Sequence, residues 1–433
     1  MINPKPIPLS RRDFFKLSGT ASLGLALSAC GFTPTPTATH TLTNTPIHTN
    51  TSTPTNTPTP TPSASPTNTP SPTPTATPVL LTLRSAAEKL GITVGVAVGG
   101  NIDYYDVNMY KAISNLSGMF IGLYQNTIDQ FGMEAIDIML NLARRYEMSH
   151  HLHPAVWHLD VPDRIKNASN AITEQYIDDR VALFLKYVGK VDGGAKPTTI
   201  DIVNEALFHN NTSGIYVYVG EPPFDSNPFY RLYGRDIIPQ VYLKFFRAAE
   251  KKGLIVGKDV FLNICEYDCL NPGGKTDFVI EEIQKAKEKI GKELGIDPTV
   301  VQIGISTQAH WFVDASRKQW YDYDITRPLP TENELVEALT ALSQVARVRI
   351  TEAQIIGAKD QAVINEWLHR LIVLPVQHKL TDGIILWDPI HTKATGPKED
   401  PRFDPQGLFD AKGNPTPACE QLTADLFAVS NSS

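Results

Sequence analysis

One pattern repeats along the sequence after Leu80: a short, β-branched apolar run is followed each time by a longer segment with helical spacing. The helical spacing is clearest in Met133–Tyr146 and Thr276–Leu294, where apolar residues recur every three or four positions. The eight predicted strands are Thr93–Val98, Met119–Leu123, Leu152–Trp157, Ile200–Asn204, Val260–Ile264, Val301–Ile305, Val348–Glu352 and Gly383–Trp387.

This alternation limits the fold to the α/β class, because parallel strands need long crossover connections that are usually helices. Eight strand–helix units in about 350 residues predict a (β/α)8 TIM barrel. A doubly wound sheet is the alternative. It would favour a glycine-rich phosphate loop after the first strand, where only Gly99 and Gly100 stand.

Polar and aromatic residues follow most of the predicted strands at the point where each strand ends. In a barrel these ends meet at one mouth, which is where the chemistry of such folds occurs. A carboxylate placed directly after an apolar strand would be an unfavourable core residue unless it has such a role. The candidate site residues are His153, Trp157, Asn204, Glu205, Tyr267, Gln308, His310, Glu352 and Trp387.

Two of these residues, Glu205 and Glu352, end the fourth and seventh predicted strands and would therefore face each other across the mouth. Glycoside hydrolysis needs two such carboxyl groups, one to protonate the leaving oxygen and one to attack or to activate water. We expect Trp157, Trp311 and Trp387 to stack on sugar rings, whose C–H faces are apolar.

Several segments resemble glycoside hydrolase family 10, the endo-β-1,4-xylanases, in order from about Ala86 to Ala418. Asp201–Ala206 resembles the family's acid/base strand, Ile350–Glu352 its nucleophile segment, Leu152–His158 its His-x-x-x-x-Trp-His signature, and Gly304–His310 its Gly-Ile-x-x-Gln-x-His strand. Tyr230–Leu262 and Gly407–Ala418 are similar to the family's fourth-helix segment and closing turn.

The resemblance implies a role for each candidate residue in a retaining mechanism without cofactor or metal. Glu205 would be the acid/base and Glu352 the nucleophile. Asn204 would bind the 2-hydroxyl of the sugar beside the cleaved bond, and His153 a neighbouring hydroxyl. Gln308 and His310 would hold Glu352, Trp387 would form the floor, and Trp157 and Tyr267 would contact substrate.

The sequence also departs from the family. Where the family's second strand ends in Glu-Asn-x-x-Lys, which grips sugars, this chain reads Leu123–Ile128 and has neither Glu nor Lys. Gln354 replaces an Asp, and Cys265–Asp268 replaces Asn-Asp-Tyr-Asn. We expect an enzyme that hydrolyses internal β-1,4 linkages of xylan or a related plant β-glycan. The alternative is a surface glycan-binding protein with a similar barrel and little or no turnover.

The first 79 residues predict export and a spacer. Residues 1–30 read as a twin-arginine-type signal, with Arg11 and Arg12 before a short apolar run and a lipobox that would lipidate Cys30. Residues 31–79 form a Thr/Pro-rich linker, predicted to be disordered, that contains no charged residue between Gly31 and Pro78. Residues 80–433 would be the hydrolase domain, extracellular or on the cell surface.

The net charge argues against a nucleic-acid partner. Without residues 1–29, the chain has 39 − 4 = 35 basic and 46 − 1 = 45 acidic residues, a net charge of −10. Phosphate binding needs a basic face. The resemblance implies a polysaccharide or oligosaccharide as the partner, and we expect a monomer with membrane contact only through the lipid at Cys30. The three other cysteines give no disulfide framework and no metal-ligand spacing.

Overall fold

The computed structural model describes residues 81–98, 111–125, 128–129, 132–188, 197–210, 215–221, 227–314, 319–321, 330–356, 360–387, 408–410 and 412–432. Leu81–Ser433 forms one compact unit. The predicted signal, Cys30 and the Thr/Pro-rich linker lie outside the described residues. No helix in the described part of the chain is both long and apolar enough to cross a membrane.

Eight parallel strands close into a barrel, as the alternating pattern predicts. The barrel order is β1-β2-β3-β5-β8-β9-β11-β12, and β12 pairs with β1 to close it. A short strand, β4, pairs with the end of β5, β10 is antiparallel to β9, and β6 and β7 form a separate hairpin. The strands are Thr93–Val98 (β1), Gly118–Gly122 (β2), Ser149–His153 (β3), Val156–Trp157 (β4), Thr198–Asn204 (β5), Leu207–Asn210 (β6), Ile215–Tyr218 (β7), Val260–Tyr267 (β8), Gly304–Asp314 (β9), Gln319–Tyr321 (β10), Arg347–Ile356 (β11) and Gly383–Leu386 (β12).

Helices follow the strands and bury one face each. In α2 the buried face is the one that the spacing predicts, and it includes Ile136, Met139 and Leu140. The helices are Leu83–Leu90 (α1), Glu134–Arg145 (α2), Asp163–Lys166 (α3), Asn170–Lys186 (α4), Pro228–Tyr233 (α5), Ile237–Lys251 (α6), Lys275–Leu294 (α7), Glu332–Val345 (α8), Gln361–Leu368 (α9), Leu374–Gln377 (α10) and Pro417–Ser432 (α11), with a π turn at His369–Val373 and 3-10 turns at Gly234–Asp236 and Pro298–Val300.

Two predicted strand boundaries are wrong. The sixth strand does not span Val301–Ile305, because a 3-10 turn at Pro298–Val300 delays its start to Gly304 and the strand then continues to Asp314. The third predicted strand is divided, because its pairing with β5 is interrupted at Pro154, between β3 and β4. Proline has no backbone N–H to donate to a ladder, so the break falls there.

A buried polar cluster occupies the barrel interior beneath the carboxyl ends of the strands. Asp201 accepts hydrogen bonds from His153 Nδ1 at 2.8 Å and, on its other oxygen, from Ser306 Oγ at 2.5 Å, and His151 Nε2 lies 2.9 Å from its carboxylate. Asn263 in turn donates to Ser306 at 3.0 Å. Strands β3, β5, β8 and β9 are thus joined by side chains as well as by their backbones.

The charge of Asp201 is stabilised by this cluster. Burial alone would raise the pKa of Asp201, but the two histidines outweigh that effect and the pKa lies below its ordinary value. Burial lowers the pKa of His151, which keeps that ring neutral. The pKa of an aspartate in the unfolded chain is about 3.9. Because the pKa of Asp201 is lower in the folded state, the ionised carboxylate stabilises the fold at pH values above about 3.9. This stabilisation is lost as the pH falls towards the pKa of the folded state.

We predict that Asp201→Asn lowers the free energy of unfolding at pH 7 by about 3 kcal/mol, because two buried hydrogen bonds and the contact with His151 lose their charged partner. Denaturant unfolding at pH 7, 5 and 3.5 measures this. The difference from wild type should be the same at pH 7 and 5 and should shrink below about pH 4. Exposed Asp163→Asn is the control. Equal stability of Asp201→Asn and wild type at pH 7 would contradict the role of the cluster.

Candidate active site

The predicted site residues lie together at one mouth of the barrel. His153 is the last residue of β3, Asn204 is the last residue of β5, and Glu205 follows Asn204 directly. Glu352 lies within β11. The other members occupy neighbouring strand ends: Trp157 in β4, Tyr267 at the end of β8, Gln308 and His310 in β9, and Trp387 directly after β12.

Both glutamates have left-handed backbone conformations, with φ of 52° at Glu205 and 53° at Glu352. An L-residue with a side chain adopts this conformation at a cost of about 1–2 kcal/mol, so neighbouring contacts must hold it. At Glu205 those contacts come from β8. The Glu205 N–H donates to the Cys265 carbonyl at 2.8 Å, and the Leu207 N–H donates to Glu266 Oε1 at 3.0 Å.

At Glu352 the strand itself is irregular. The pairing of β11 shifts register around Glu352 against both of its neighbours, β9 and β12. The ladder resumes at once, since the Trp387 N–H donates to the Ala353 carbonyl at 3.0 Å. Such a bulge redirects one side chain without ending the strand. Here it directs the buried Glu352 carboxylate towards His153 and His310.

One oxygen of Glu352 is fixed and the other is not. His310 Nε2 contacts Glu352 Oε2 at 2.8 Å, and His310 Nδ1 contacts the side-chain amide of Gln354 at 3.0 Å. Among the described residues, Glu352 Oε1 has no hydrogen-bond donor, and His153 Nε2 lies 3.9 Å from it. Glu352 Oε1 is therefore the free oxygen of the pair in the described part of the chain.

Gln354 affects how His310 can bind Glu352. A side-chain amide can donate to a ring nitrogen or accept from one, whereas a carboxylate can only accept. Gln354 Oε1 lies 3.0 Å from His310 Nδ1 and can accept from it as a carboxylate oxygen would, while His310 Nε2 contacts Glu352 Oε2. The replacement of the family's Asp by Gln354 thus preserves the contact to the carboxylate.

Gln308 does not contact Glu352 directly, contrary to the role that the resemblance implies. Its amide nitrogen lies 3.1 Å from the amide of Asn204 and 3.6 Å from Cys265 Sγ. Gln308 and His310 share one face of β9, but Gln308 is one layer deeper in the barrel. Gln308 therefore orders Asn204, beside Glu205, while His310 alone of the two holds Glu352.

The Glu205 carboxylate is buried, and Trp157 Nε1 donates to its Oε2 at 3.1 Å. Close by, Glu266 and Lys275 form a fully buried ion pair of 2.7 Å. Burial would lower the pKa of Lys275, but Glu266 outweighs it and the pKa lies above its ordinary value. A buried pair of this kind is costly to break. It anchors the backbone that follows Glu205 through the Leu207 contact.

Tyr267 lies against the same ion pair. Lys275 Nζ is 3.2 Å from the centroid of the Tyr267 ring, and the tyrosine is 6% exposed. One face of the ring is therefore covered by Lys275. Tyr267 can offer a substrate only the small part of its side chain that remains exposed.

An arc of rings connects the surroundings of the two glutamates. Neighbouring ring centroids along it are 4.7–6.3 Å apart. In order from Glu205 the arc consists of Trp157, Tyr124, His153, Phe120, Trp387 and His310. Trp157, Tyr124 and Trp387 are partly exposed, so they form an apolar surface suited to a sugar ring.

The expectation that Trp311 stacks on a sugar is wrong, because its side chain is fully buried.

Sequence reasoning also missed three residues of the site: Tyr124, Asp201 as the centre of the buried cluster, and Cys265 as a neighbour of Asn204 and Gln308. The signal for Tyr124 was present, since it is an aromatic residue with a polar tip just after an apolar strand.

In the described part of the chain, one group of side chains has potential metal-ligand atoms that lie close to one another. His153, Asp201 and Cys265 each place one donor atom within 4.8 Å of the others. Both oxygens of Asp201 already accept hydrogen bonds, and one of those bonds occupies His153 Nδ1. Burial also raises the pKa of the Cys265 thiol well above its ordinary value, so it stays protonated. We interpret the group as part of the hydrogen-bonded interior.

Solved structures share this fold. Xylanase 10B from Thermotoga maritima matches with a TM-score of 0.61 at 17% identity, over 81% of this chain and 100% of that chain. Xylanase 10B from Thermotoga petrophila, in complex with xylobiose, matches with a TM-score of 0.60 at 18% identity, over 80% and 97%. An endo-1,4-β-xylanase from Penicillium canescens has a TM-score of 0.61 at 16% identity, over 80% and 98%.

No match was found among curated protein sequences. The sequence profile of glycosyl hydrolase family 10, in contrast, matches residues 83–425, which include the whole barrel. The matched region contains both glutamates, the arc of rings and the buried cluster beneath them. The chain belongs to glycosyl hydrolase family 10.

Proposed function

We propose that this glycoside hydrolase is an exported, retaining enzyme that cleaves internal β-1,4 linkages of xylan or a related plant β-glycan. The observation that carries the proposal is the pair Glu205 and Glu352, two buried carboxylates held in strained backbone conformations at one barrel mouth. Strain of this kind at non-glycine residues is concentrated at functional sites.

In the first step, the free oxygen of Glu352 attacks the anomeric carbon of the sugar beside the cleaved bond. The glycosidic bond breaks, and the proton of Glu205 passes to the departing oxygen. Trp157, which donates to Glu205 Oε2, holds the acid in place for this transfer. In the second step, Glu205 takes a proton from water, the water oxygen attacks the same carbon, and Glu352 is released.

The groups around the attacked sugar would bind its hydroxyls. Asn204 precedes the acid/base directly and is ordered by Gln308 at 3.1 Å, and its amide would bind the 2-hydroxyl. His153 Nδ1 is engaged by Asp201, which leaves Nε2, near Glu352, for a neighbouring hydroxyl. Trp387 would provide the apolar floor for the sugar ring.

The choice of xylan as substrate draws on the structural neighbours, which are described as xylanases, one of them in complex with xylobiose. The sequence between Leu123 and Ile128 differs from the family's second strand, which favours a related β-glycan as the second candidate. The same difference supports the alternative of a glycan-binding protein with little turnover. An activity assay on a panel of glycans distinguishes a hydrolase from a binding protein.

We predict that the protein releases reducing sugar from xylan or from another β-1,4-glycan in a small panel of arabinoxylan, glucomannan, mixed-linkage glucan and carboxymethylcellulose. A fall in viscosity ahead of sugar release would indicate cleavage of internal bonds. Glu352→Gln is the inactive control. Binding to a polymer of the panel without any product would support the glycan-binding alternative.

We predict that Glu205→Ala and Glu352→Ala fail in different ways. Glu205→Ala should lose about 10²–10⁴-fold on xylan, where the leaving alcohol needs a proton. It should still react with an aryl glycoside whose leaving group departs unprotonated, and azide should restore turnover because it needs no base. Glu352→Ala should lose activity on both substrates, since no glycosyl-enzyme can form.

The matched control for these variants is Glu147→Ala. Glu147 is exposed and has the same left-handed conformation, with φ of 52°, but lies before β3 at the other end of the barrel. It should keep wild-type activity. Equal losses of the two site variants on both substrates, without any azide response, would contradict the assigned roles.

We predict that Cys30→Ala blocks signal processing or releases the folded protein into the medium, because stable anchoring of a lipoprotein needs its acyl chains. Membrane fractionation and mass determination of the mature N-terminus measure this. Arg11→Lys together with Arg12→Lys should separately block export. Unchanged processing and membrane partition of Cys30→Ala would contradict lipidation at Cys30.

A further inference from the structure

Tyr124 is the second ring of the aromatic arc counted from Glu205, between Trp157 and His153. Its ring meets the His153 ring edge-on, with centroids 5.8 Å apart, and lies 5.9 Å from the Trp157 ring. The side chain is partly exposed. Tyr124 is therefore a neighbour both of the tryptophan that holds Glu205 and of the histidine beside Glu352.

The sequence leaves room for this ring. Gly122, the last residue of β2, lies directly beneath it, and a Cβ on Gly122 would stand 2.5 Å from Tyr124 Cε2. Real Cβ atoms essentially never approach another atom so closely. A side chain at position 122 would thus displace the Tyr124 ring from the arc.

The backbone on both sides of Tyr124 is fixed. The Leu123 N–H donates to the His153 carbonyl at 2.5 Å, and the Leu123 carbonyl accepts from the fully buried Arg180 at 2.6 Å. The Gln125 N–H donates to the Asp160 carboxylate. Supporting contacts of this kind orient a side chain before a ligand arrives, which reduces the entropic cost of binding.

The hydroxyl of Tyr124 makes no hydrogen bond to any residue that the structure describes. Burial raises the pKa of this phenol well above its ordinary value, and the nearby negative charges of Glu352 and Glu205 raise it further. The hydroxyl therefore keeps its proton and can donate a hydrogen bond within the site. A positioned donor that has no partner among the described residues is suited to a ligand hydroxyl.

We propose that Tyr124 is a substrate-binding residue whose hydroxyl bonds to the sugar unit that becomes attached to Glu352. This inference rests on the proposed function and names a contact for its glycone side. We assign the contact to the glycone side because the His153 ring, which packs against Tyr124, lies 3.9 Å from Glu352 Oε1. Tyr124 follows β2, so its hydroxyl supplies a sugar contact where the family's Glu and Lys are missing.

The test compares Tyr124→Phe with wild type on an aryl β-xylobioside and on xylan. The aryl substrate has sugar units only on the glycone side, so the loss should appear there as well. We expect kcat/KM to fall about ten-fold on both substrates, the effect of one lost hydrogen bond. Tyr124→Ala and Gly122→Ala, which remove or displace the ring, should lose more. Tyr146→Phe, at the other end of the barrel, is the control and should match wild type.

Three results would overturn the inference. Wild-type kinetics of Tyr124→Phe would mean that the ring only packs, even if Tyr124→Ala is impaired or fails to fold. A loss on xylan but not on the aryl xylobioside would place the contact on the leaving-group side. If wild type turns over neither substrate, the proposed function fails. Titration calorimetry with xylotriose then decides, and equal affinity of wild type and Tyr124→Phe would reject the contact.

Discussion

The left-handed backbone at Glu205 and Glu352 is the constraint on which the site depends. Each residue carries a cost of about 1–2 kcal/mol, and each is held by a strand that belongs to the closed barrel. At Glu205 the support comes from the Cys265 carbonyl and from Glu266 through Leu207. At Glu352 it comes from the bulge in β11. Barrel closure therefore stabilises the reactive geometry as well as the fold.

Polar contacts continue this support below and beside the glutamates. The charged Asp201 fixes His153 from beneath, His310 fixes one oxygen of Glu352, and Trp157 fixes one oxygen of Glu205. Each carboxylate is thus held by a donor, while three rings of the arc, those of Trp157, Tyr124 and Trp387, stay partly exposed. Electrostatic groups that are oriented before reaction need no rearrangement during it, which is a major source of catalytic rate.

The strand–helix alternation was enough to predict the barrel, and the polar residues at strand ends were enough to predict most of the site. The errors have physical causes. A 3-10 turn delayed the sixth strand, the depth of a side chain within the barrel separated Gln308 from Glu352, and packing buried Trp311. The depth and the packing of a side chain depend on how the strands tilt and pair. The spacing of residues along one strand gives no information about that. Tyr124 depends on Gly122, a relation that only the folded chain shows.

The central claim is that Glu352 forms a covalent bond to the sugar. An aryl 2-deoxy-2-fluoro-β-xylobioside tests it, because the fluorine slows both steps while the good leaving group allows the first to proceed. After incubation and protease digestion, mass spectrometry should find one fluorinated sugar adduct, on the peptide that contains Glu352. The same treatment of Glu352→Gln should give none. A wild-type protein that releases reducing sugar from xylan but carries its adduct on another residue would contradict the account.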